Sequence, residues 1–416
     1  MYVKHIELKN YRNYLEVNLD FKNHLILFLG QNGSGKTNLL ESIYYLANGR
    51  SHRVASSSDL VNFKSDYAII RAIIEIENKE NLFEIQIHKD GAVKLRFNKL
   101  YIKNKQNMFK KLAVVIFSPD DLSMIKSSPS FRREYIDGIL AKVQNDFYNI
   151  KSRYQKILIQ RNSLLKSASN NSLDKLCVKN TFETWDENLA KEGSKLIKAR
   201  INLLQSLKPK FLRYMNYFFK DRKASLNYVF SWERVNFGDE DEKSGNDNLI
   251  YLSKENISGE DRSKNSLTKT GLTNDSFNNK EIIYNVFKEK LNYYFKKDIG
   301  VKSSTIGPHR DDLLITLDNK DLRYFGSQGQ QRIAAICLRL AEIEILVERI
   351  NDKPLLLLDD VLSELDIERK KLLLNLIKNN FQTFITTANY DYINDIELKN
   401  CQKFFVEDNS IKLFKK

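Results

Sequence analysis

The sequence predicts an α/β head, a mixed sheet with helices and an antiparallel β layer, joined to a mainly helical arm. Three observations carry the prediction. The apolar run Leu25–Leu29 leads directly into Gly30-Gln31-Asn32-Gly33-Ser34-Gly35-Lys36-Thr37, a complete G-x-x-x-x-G-K-T loop, and apolar residues then recur at helical spacing to Ala47. Far downstream, Pro354-Leu-Leu-Leu-Leu-Asp359-Asp360 reads as a buried strand ending in two carboxylates. Between them, residues 130–223 carry apolar positions at three- and four-residue spacing. The head is therefore expected at 1–125 and 301–416, and the arm at 126–300.

Taken in order, residues 2–98 read as β-rich, interrupted by the helix that follows the loop. Segments 67–77, 82–89 and 93–98 are rich in Ile, Val and Phe, with Asp90-Gly91 as a hairpin turn between the last two. Residues 111–117 form a further buried strand, closed by Ser118-Pro119-Asp120-Asp121. In the arm, 167–174 is a polar break, and Pro209 is expected to end or kink a helix. Residues 239–280 are polar and poor in aromatics, the composition of a loop or disordered insertion. A helix at 281–297, strands within 303–317, a long helix at 333–350, a helix after Asp366 and a strand at Thr383–Thr387 complete the reading.

At 416 residues the chain has room for two or three domains. No apolar segment approaches the roughly 20 residues needed to span a bilayer, and no signal-peptide pattern is present, so a soluble intracellular protein is expected. Cys177, Cys337 and Cys401 are far apart, and the five histidines have no ligand spacing, which argues against a disulfide framework or a zinc site. The formal charge is +14, and residues 142–223 hold 18 basic against 7 acidic residues, a net +11. So local an excess suits a polyanion, because neutralised phosphates release counterions; lysine-rich solvated helix faces are the alternative.

The chemistry follows from the loop. Its glycines let backbone N–H groups curl around phosphates at the positive end of a helix. Lys36 is expected to reach the β- and γ-phosphates, and the Thr37 hydroxyl to supply one ligand to Mg²⁺. Asp359 is expected to complete the metal shell, with Asp360 placed to orient or deprotonate attacking water. Upstream, Phe325-Gly-Ser327-Gln-Gly329-Gln330-Gln-Arg332 opens the long helix, and Ser327 with Gln330 forms an S-x-x-Q capping box. Glycine on both sides leaves that helix start open for a second phosphate contact. One sheet cannot easily bring two helix starts to one phosphate, so a second chain is the natural donor.

In this order, a P-loop, an L-S-G-G-Q-like turn at 326–330, Leu-Leu-Asp359-Asp360 and Ser363-Glu-Leu-Asp366 resemble an ABC-type ATPase head. The long insertion makes the pattern similar to the structural-maintenance-of-chromosomes group of DNA ATPases. It resembles most the RecF family of bacterial recombination mediators, through Lys9-Asn-Tyr-Arg12-Asn13, Ser118-Pro-Asp-Asp-Leu122, Ser128-Pro-Ser-Phe-Arg-Arg-Glu-Tyr-Ile-Asp137 and Gly307-Pro-His-Arg-Asp-Asp312. The resemblance covers nearly the whole chain. It implies an ATP-dependent homodimer that binds DNA, helps restart replication, loads recombinase at gaps and supports the SOS response, with RecR and RecO as partner mediators. Two ATP molecules would each lie between one P-loop and the partner chain's turn at Ser327, Gly329 and Gln330. The resemblance also implies a nucleotide contact for Arg12 beside Asn32, and leaves a role open for His309 and Arg310.

Two departures bear on mechanism. Thr386, Thr387 and Asn389 stand where many ABC ATPases carry a switch histidine, which implies slow hydrolysis, and no Q-loop glutamine is evident. An energy module for a membrane transporter and a clamp that binds ATP with little turnover are the competing readings. DNA contact is expected along the arm, for example at Lys195, Lys198 and Arg200.

Overall fold

The computed structural model describes residues 1–102, 108–109, 111–168, 175–233, 279–350, 352–377, 381–388 and 401–414. They divide into two compact units, one of residues 1–122 and 332–416 and the other of residues 123–331. The head therefore resumes at 332 and not at 301. Residues 301–331 fold with the arm because the strand they contain pairs with an arm strand. The insertion foreseen at 239–280 lies almost wholly outside the described residues.

The first unit opens with β1 (Tyr2–Tyr11), β2 (Tyr14–Asp20) and β3 (Leu25–Leu29), then α1 (Lys36–Asn48). Next come β4 (Tyr67–Ile76), β5 (Lys79–His88), β6 (Val93–Phe97), β7 (Leu100–Tyr101) and β8 (Val114–Phe117). Alternation decides their sheet: Ala68, Ile70, Ala72 and Ile74 on β4 are buried while their neighbours are not. The result is a six-stranded antiparallel sheet in the order β2-β1-β4-β5-β6-β7, with Gly91 at φ +85 in the turn before β6.

The second unit contains α2 (Leu122–Lys126), α3 (Pro129–Val143), α4 (Phe147–Ala168), α5 (Lys175–Phe218), β9 (Ala224–Val229), α6 (Lys280–Val301), β10 (Asp312–Leu317), β11 (Lys320–Asp321) and α7 (Leu322–Phe325). Strand β10 is flanked by β9 and β11 in an antiparallel sheet. β9 was not foreseen in the helical arm; its burial is irregular and its partner lies some ninety residues onward. Pro209 neither ends nor divides α5. Leu207, Phe211 and Met215 around it are fully buried, and this packing outweighs the one backbone bond that proline removes.

Helix α8 (Gln328–Ile350) has its first turn in the second unit and the rest in the first. The first unit then completes itself with β12 (Leu355–Asp359), α9 (Ile367–Ile377), β13 (Thr383–Thr387), β14 (Gln402–Glu407) and β15 (Ser410–Leu413). A mixed sheet runs β15-β14-β3-β13-β12-β8, parallel except for β15. β12 and β13 are buried along their whole length, as strands covered on both faces must be. A common core joins the two sheets and α1, with Ile6, Leu8, Phe28, Leu39, Ile43, Ile70, Leu357 and Phe384 among its members. The Gln382 side chain stitches the sheets together, accepting from the Val3 N–H at 2.6 Å and donating to the Val3 carbonyl at 2.9 Å.

In the second unit, the segments that carried the family resemblance form buried ion pairs. Arg132 grips Asp312 at 2.7 and 3.0 Å, and Arg200 grips Asp137 at 2.8 and 3.0 Å while donating to the Pro308 carbonyl at 2.6 Å. Burial would raise the Asp137 pKa, but Arg200 and Lys151 hold it below the ordinary value. His309 bonds Tyr154 Oη at 2.7 Å and faces the Ser304 carbonyl at 3.2 Å; burial pushes its pKa down to about 4. Pro308, His309 and Asp312 are thus tied by hydrogen bonds into the second unit. Arg200, buried at 2% exposure, is not available to DNA. Arg200→Ala leaves Asp137 facing only Lys151, and is expected to destabilise this unit by about 3 to 5 kcal/mol in urea unfolding.

Candidate nucleotide site

Strand β3 delivers the chain into the loop at residues 30–37, and α1 starts at Lys36 behind Gly35, which sits at φ +110. A Cβ on Gly35 would lie 2.6 Å from Tyr14 Oη, and one on Gly30 would lie 2.2 Å from the Val406 carbonyl oxygen. Only glycine permits this wrapping between the antiparallel layer and β14. Gln31, Asn32 and Gly33 are exposed on the outer side of the loop.

Lys36 Nζ donates to the carbonyls of Gly30 at 2.8 Å and Gln31 at 2.7 Å, so the ammonium is folded back over its own loop. Burial pushes its pKa down, opposed by the charges of Asp360 and Asp359. An anion placed in the loop would give this cation the partner that two carbonyl dipoles supply only in part.

The downstream acids reach the same place because β12 and β3 are both parallel neighbours of β13, so their carboxyl ends emerge side by side. Thr37 Oγ1 donates to Asp359 Oδ1 at 2.9 Å, and Thr386 Oγ1 donates to the same oxygen at 2.7 Å. Thr386 Oγ1 also accepts the Asp360 N–H at 3.0 Å. Thr386, which stands where many ABC ATPases carry a switch histidine, is the link between the two acids. Asp360 takes the left-handed conformation at φ 51, and its Oδ1 is buried without a hydrogen-bond partner. Ser34 Oγ is likewise buried and unsatisfied. Buried polar atoms left this way are costly, and a phosphate, a metal-bound water or a nucleophilic water would satisfy them. The hard oxygen donors of Thr37 and Asp359 fit Mg²⁺, the Gly-rich loop with Lys36 fits a triphosphate, and both fit ATP·Mg²⁺.

Arg12 is held against α1. Its guanidinium pairs with Glu41 at 2.8 and 2.9 Å and donates to the Asp59 carbonyl at 3.1 Å, so it clamps α1 to the antiparallel layer. Asn13 and Asn38 stand nearer the loop: Asn38 in the first turn of α1 donates to Asn13 Oδ1 at 2.7 Å and accepts from Arg53 at 2.9 Å, and Asn13 in turn bonds Asn409. Nothing in the sequence marked Glu41 or Asn409, which lie 29 and 396 positions from their partners.

The turn at 327–330 belongs to the second unit. Its capping box is formed: the Ser327 N–H donates to Gln330 Oε1 at 3.0 Å, and the Gln330 N–H donates to Ser327 Oγ at 3.3 Å. Ser327, Gln328 and Gly329 are exposed, as are the large side chains of Tyr324 and Phe325 just before them. Asn389 lies outside the described residues, as does the side chain of Cys177. Among the described residues no cluster of side chains suited to hold a metal by itself is found, and no helix is long and apolar enough to cross a membrane.

A P-loop and a strand-end acid on one mixed sheet, with an antiparallel layer behind and an insertion between them, define an ABC-type ATPase head. The family described as RecF/RecN/SMC N terminal domain matches residues 2–412. The chain is 35% identical over 409 residues to the DNA replication and repair protein RecF of Clostridium tetani, covering 98% of each chain. It is 36% identical over 406 residues to that of Natranaerobius thermophilus, covering 97% of this chain and 95% of the relative. Among solved structures it resembles the recombination mediator protein RecF-ATPrS of the RecFOR pathway, with TM-score 0.79 and 30% identity over 100% of this chain and 98% of the other. An Smc head bound to the C-winged helix domain of ScpA shares the fold, with TM-score 0.53 and 15% identity. The chain belongs to the RecF family.

Proposed function

We propose that this protein is an ATP-dependent DNA-binding protein of recombinational repair and replication restart, acting in the cytoplasm. The carrying observation is the hydrogen-bonded set Thr37, Asp359, Thr386 and Asp360 beside the loop that holds Lys36, in a chain that aligns over 98% of its length with a RecF. Gly30, Gln31, Asn32, Gly33, Ser34 and Gly35 cradle the phosphates, Lys36 binds the outer ones, and Thr37 with Asp359 holds Mg²⁺. The metal supplies charge neutralisation on the phosphates. Asp360 holds the attacking water, and its short reach together with threonine in place of a switch histidine favours slow turnover.

The exposed turn at Ser327, Gly329 and Gln330 closes the site of a second chain, so that ATP joins a homodimer. That dimer grips DNA, assists recombinase loading at gaps and the SOS response, and works with RecR and RecO, a reading supported by solved relatives described as belonging to the RecFOR pathway. Binding to gapped, single-stranded and duplex DNA with and without ATP, alongside mass by light scattering, tests this reading. Mass and affinity that ignore ATP would refute it.

The DNA contact proposed for the arm moves to residues that face solvent. From Gly193 to Lys220 there are seven basic and no acidic residues, and Arg213, Lys220 and Lys223 are exposed where Arg200 is not. Reversing these three charges is expected to weaken DNA binding and to flatten the slope of log affinity against log salt by up to about 3. An unchanged slope would remove the end of α5 and the segment after it from the interface.

A further inference from the structure

The outer face of the antiparallel sheet carries a row of side chains set by strand register. Glu7 on β1 stands opposite Arg71 on β4, Arg71 opposite Glu84 on β5, Glu84 opposite Arg96 on β6, and Arg96 opposite Tyr101 on β7. Each neighbour is bonded to the next: Arg71 to Glu7 at 2.6 Å, Arg71 to Glu84 at 2.7 Å, Arg96 to Glu84 at 2.7 Å, and Arg96 to the Tyr101 hydroxyl. The Arg96 guanidinium also lies 4.5 Å from the Tyr101 ring centroid. The row therefore neutralises its own charges and ends in an aromatic ring that is held in place yet 63% exposed.

The surroundings of that ring are basic. Residues 91–102, which form the hairpin and its flanks, hold Lys94, Arg96 and Lys99 and no Asp or Glu. Lys94, Lys99 and Lys111 are exposed, and Leu100, beside Tyr101 at the hairpin tip, is 73% exposed. An orienting ion-pair row, an open aromatic face and uncompensated lysines together suit a strand of phosphates with bases free to stack. Duplex offers the phosphates but keeps its bases stacked within itself.

We infer that the β6–β7 hairpin is a contact for single-stranded nucleic acid, with Tyr101 as a stacking platform and Lys94 and Lys99 on the backbone. The inference rests on the DNA-binding reading above and places a second contact on the head, separate in sequence from the basic end of α5. Charge complementarity selects nucleic acid over a protein partner, for which the Tyr, Leu and Arg would also serve.

The test is fluorescence anisotropy with labelled oligothymidylate and a duplex of equal length, with ATP present and ATP affinity measured as the control for folding. Tyr101→Ala is expected to weaken oligothymidylate binding about tenfold and duplex binding much less, while Tyr101→Phe retains most of the affinity. Lys94→Glu with Lys99→Glu should weaken both and flatten the salt dependence. A Tyr101→Trp variant should lose indole fluorescence on oligothymidylate addition, beyond any change in the wild type. If the wild type binds oligothymidylate and the alanine and double-glutamate variants bind it equally well, the inference fails while DNA binding stands. A wild type that binds neither DNA overturns the DNA-binding reading and this inference with it.

Discussion

Lys36→Ala is expected to reduce ATP affinity at least about a hundredfold, since charge-assisted bonds to phosphate contribute roughly 1.5 to 3 kcal/mol each. It should also abolish ATP-induced dimers. The fold should survive, because the Nζ bonds only two carbonyls of its own loop and carries no ion pair that the rest of the head depends on. Burial already disfavours this ammonium, so its removal costs the apo protein little. Equilibrium binding of a fluorescent ATP analogue, sedimentation with and without ATP, and a thermal melt decide the matter. A Lys36→Ala variant that still dimerises with ATP would refute the two-chain site.

Asp360→Asn addresses turnover. Asparagine fits the space and accepts the left-handed backbone at φ 51, so the Thr386 link through the residue's N–H should persist. What is lost is the carboxylate charge, at an oxygen that is buried and unsatisfied in the free chain. Turnover should fall about 10²- to 10⁴-fold while ATP affinity holds. If hydrolysis releases DNA, the variant accumulates as an ATP-bound dimer on DNA, visible as a long-lived complex in filter binding. Wild-type turnover in the variant would take Asp360 out of the reaction; lost turnover with unchanged release would make the protein a clamp that needs no hydrolysis. Thr386→Ala gives a useful contrast, since it loosens Asp359 and Asp360 together.

How far the chain could be read before folding depended on the range of the forces involved. The loop at residues 30–37, the strand ending in Asp359 and Asp360, and the Ser327 and Gln330 capping box are each specified within eight or so consecutive residues. Glycine conformations, apolar runs and cap chemistry act at that range, and so does the helical spacing of the arm. Where one residue's local preference met distant packing, the packing decided the helix length: α5 does not end at Pro209, and Leu207, Phe211 and Met215 are buried around it. The strand β9 and the assignment of 301–331 to the arm were hidden because both depend on pairing across the long stretch between Val229 and Asp312.

The amino-acid order alone therefore decided that a nucleotide loop, its acidic partner strand and a basic helical insertion exist in this protein. Tertiary structure decided which charges are surface and which are framework. Arg200, Arg132 and Arg12 are the same residue type as Arg213, yet the first three are locked onto Asp137, Asp312 and Glu41 while Arg213 is exposed. The row from Glu7 to Tyr101 likewise appears only when five strands align in register. The reason is physical: a charge is worth little in water and much when desolvated beside its opposite, and desolvation is a property of the folded chain.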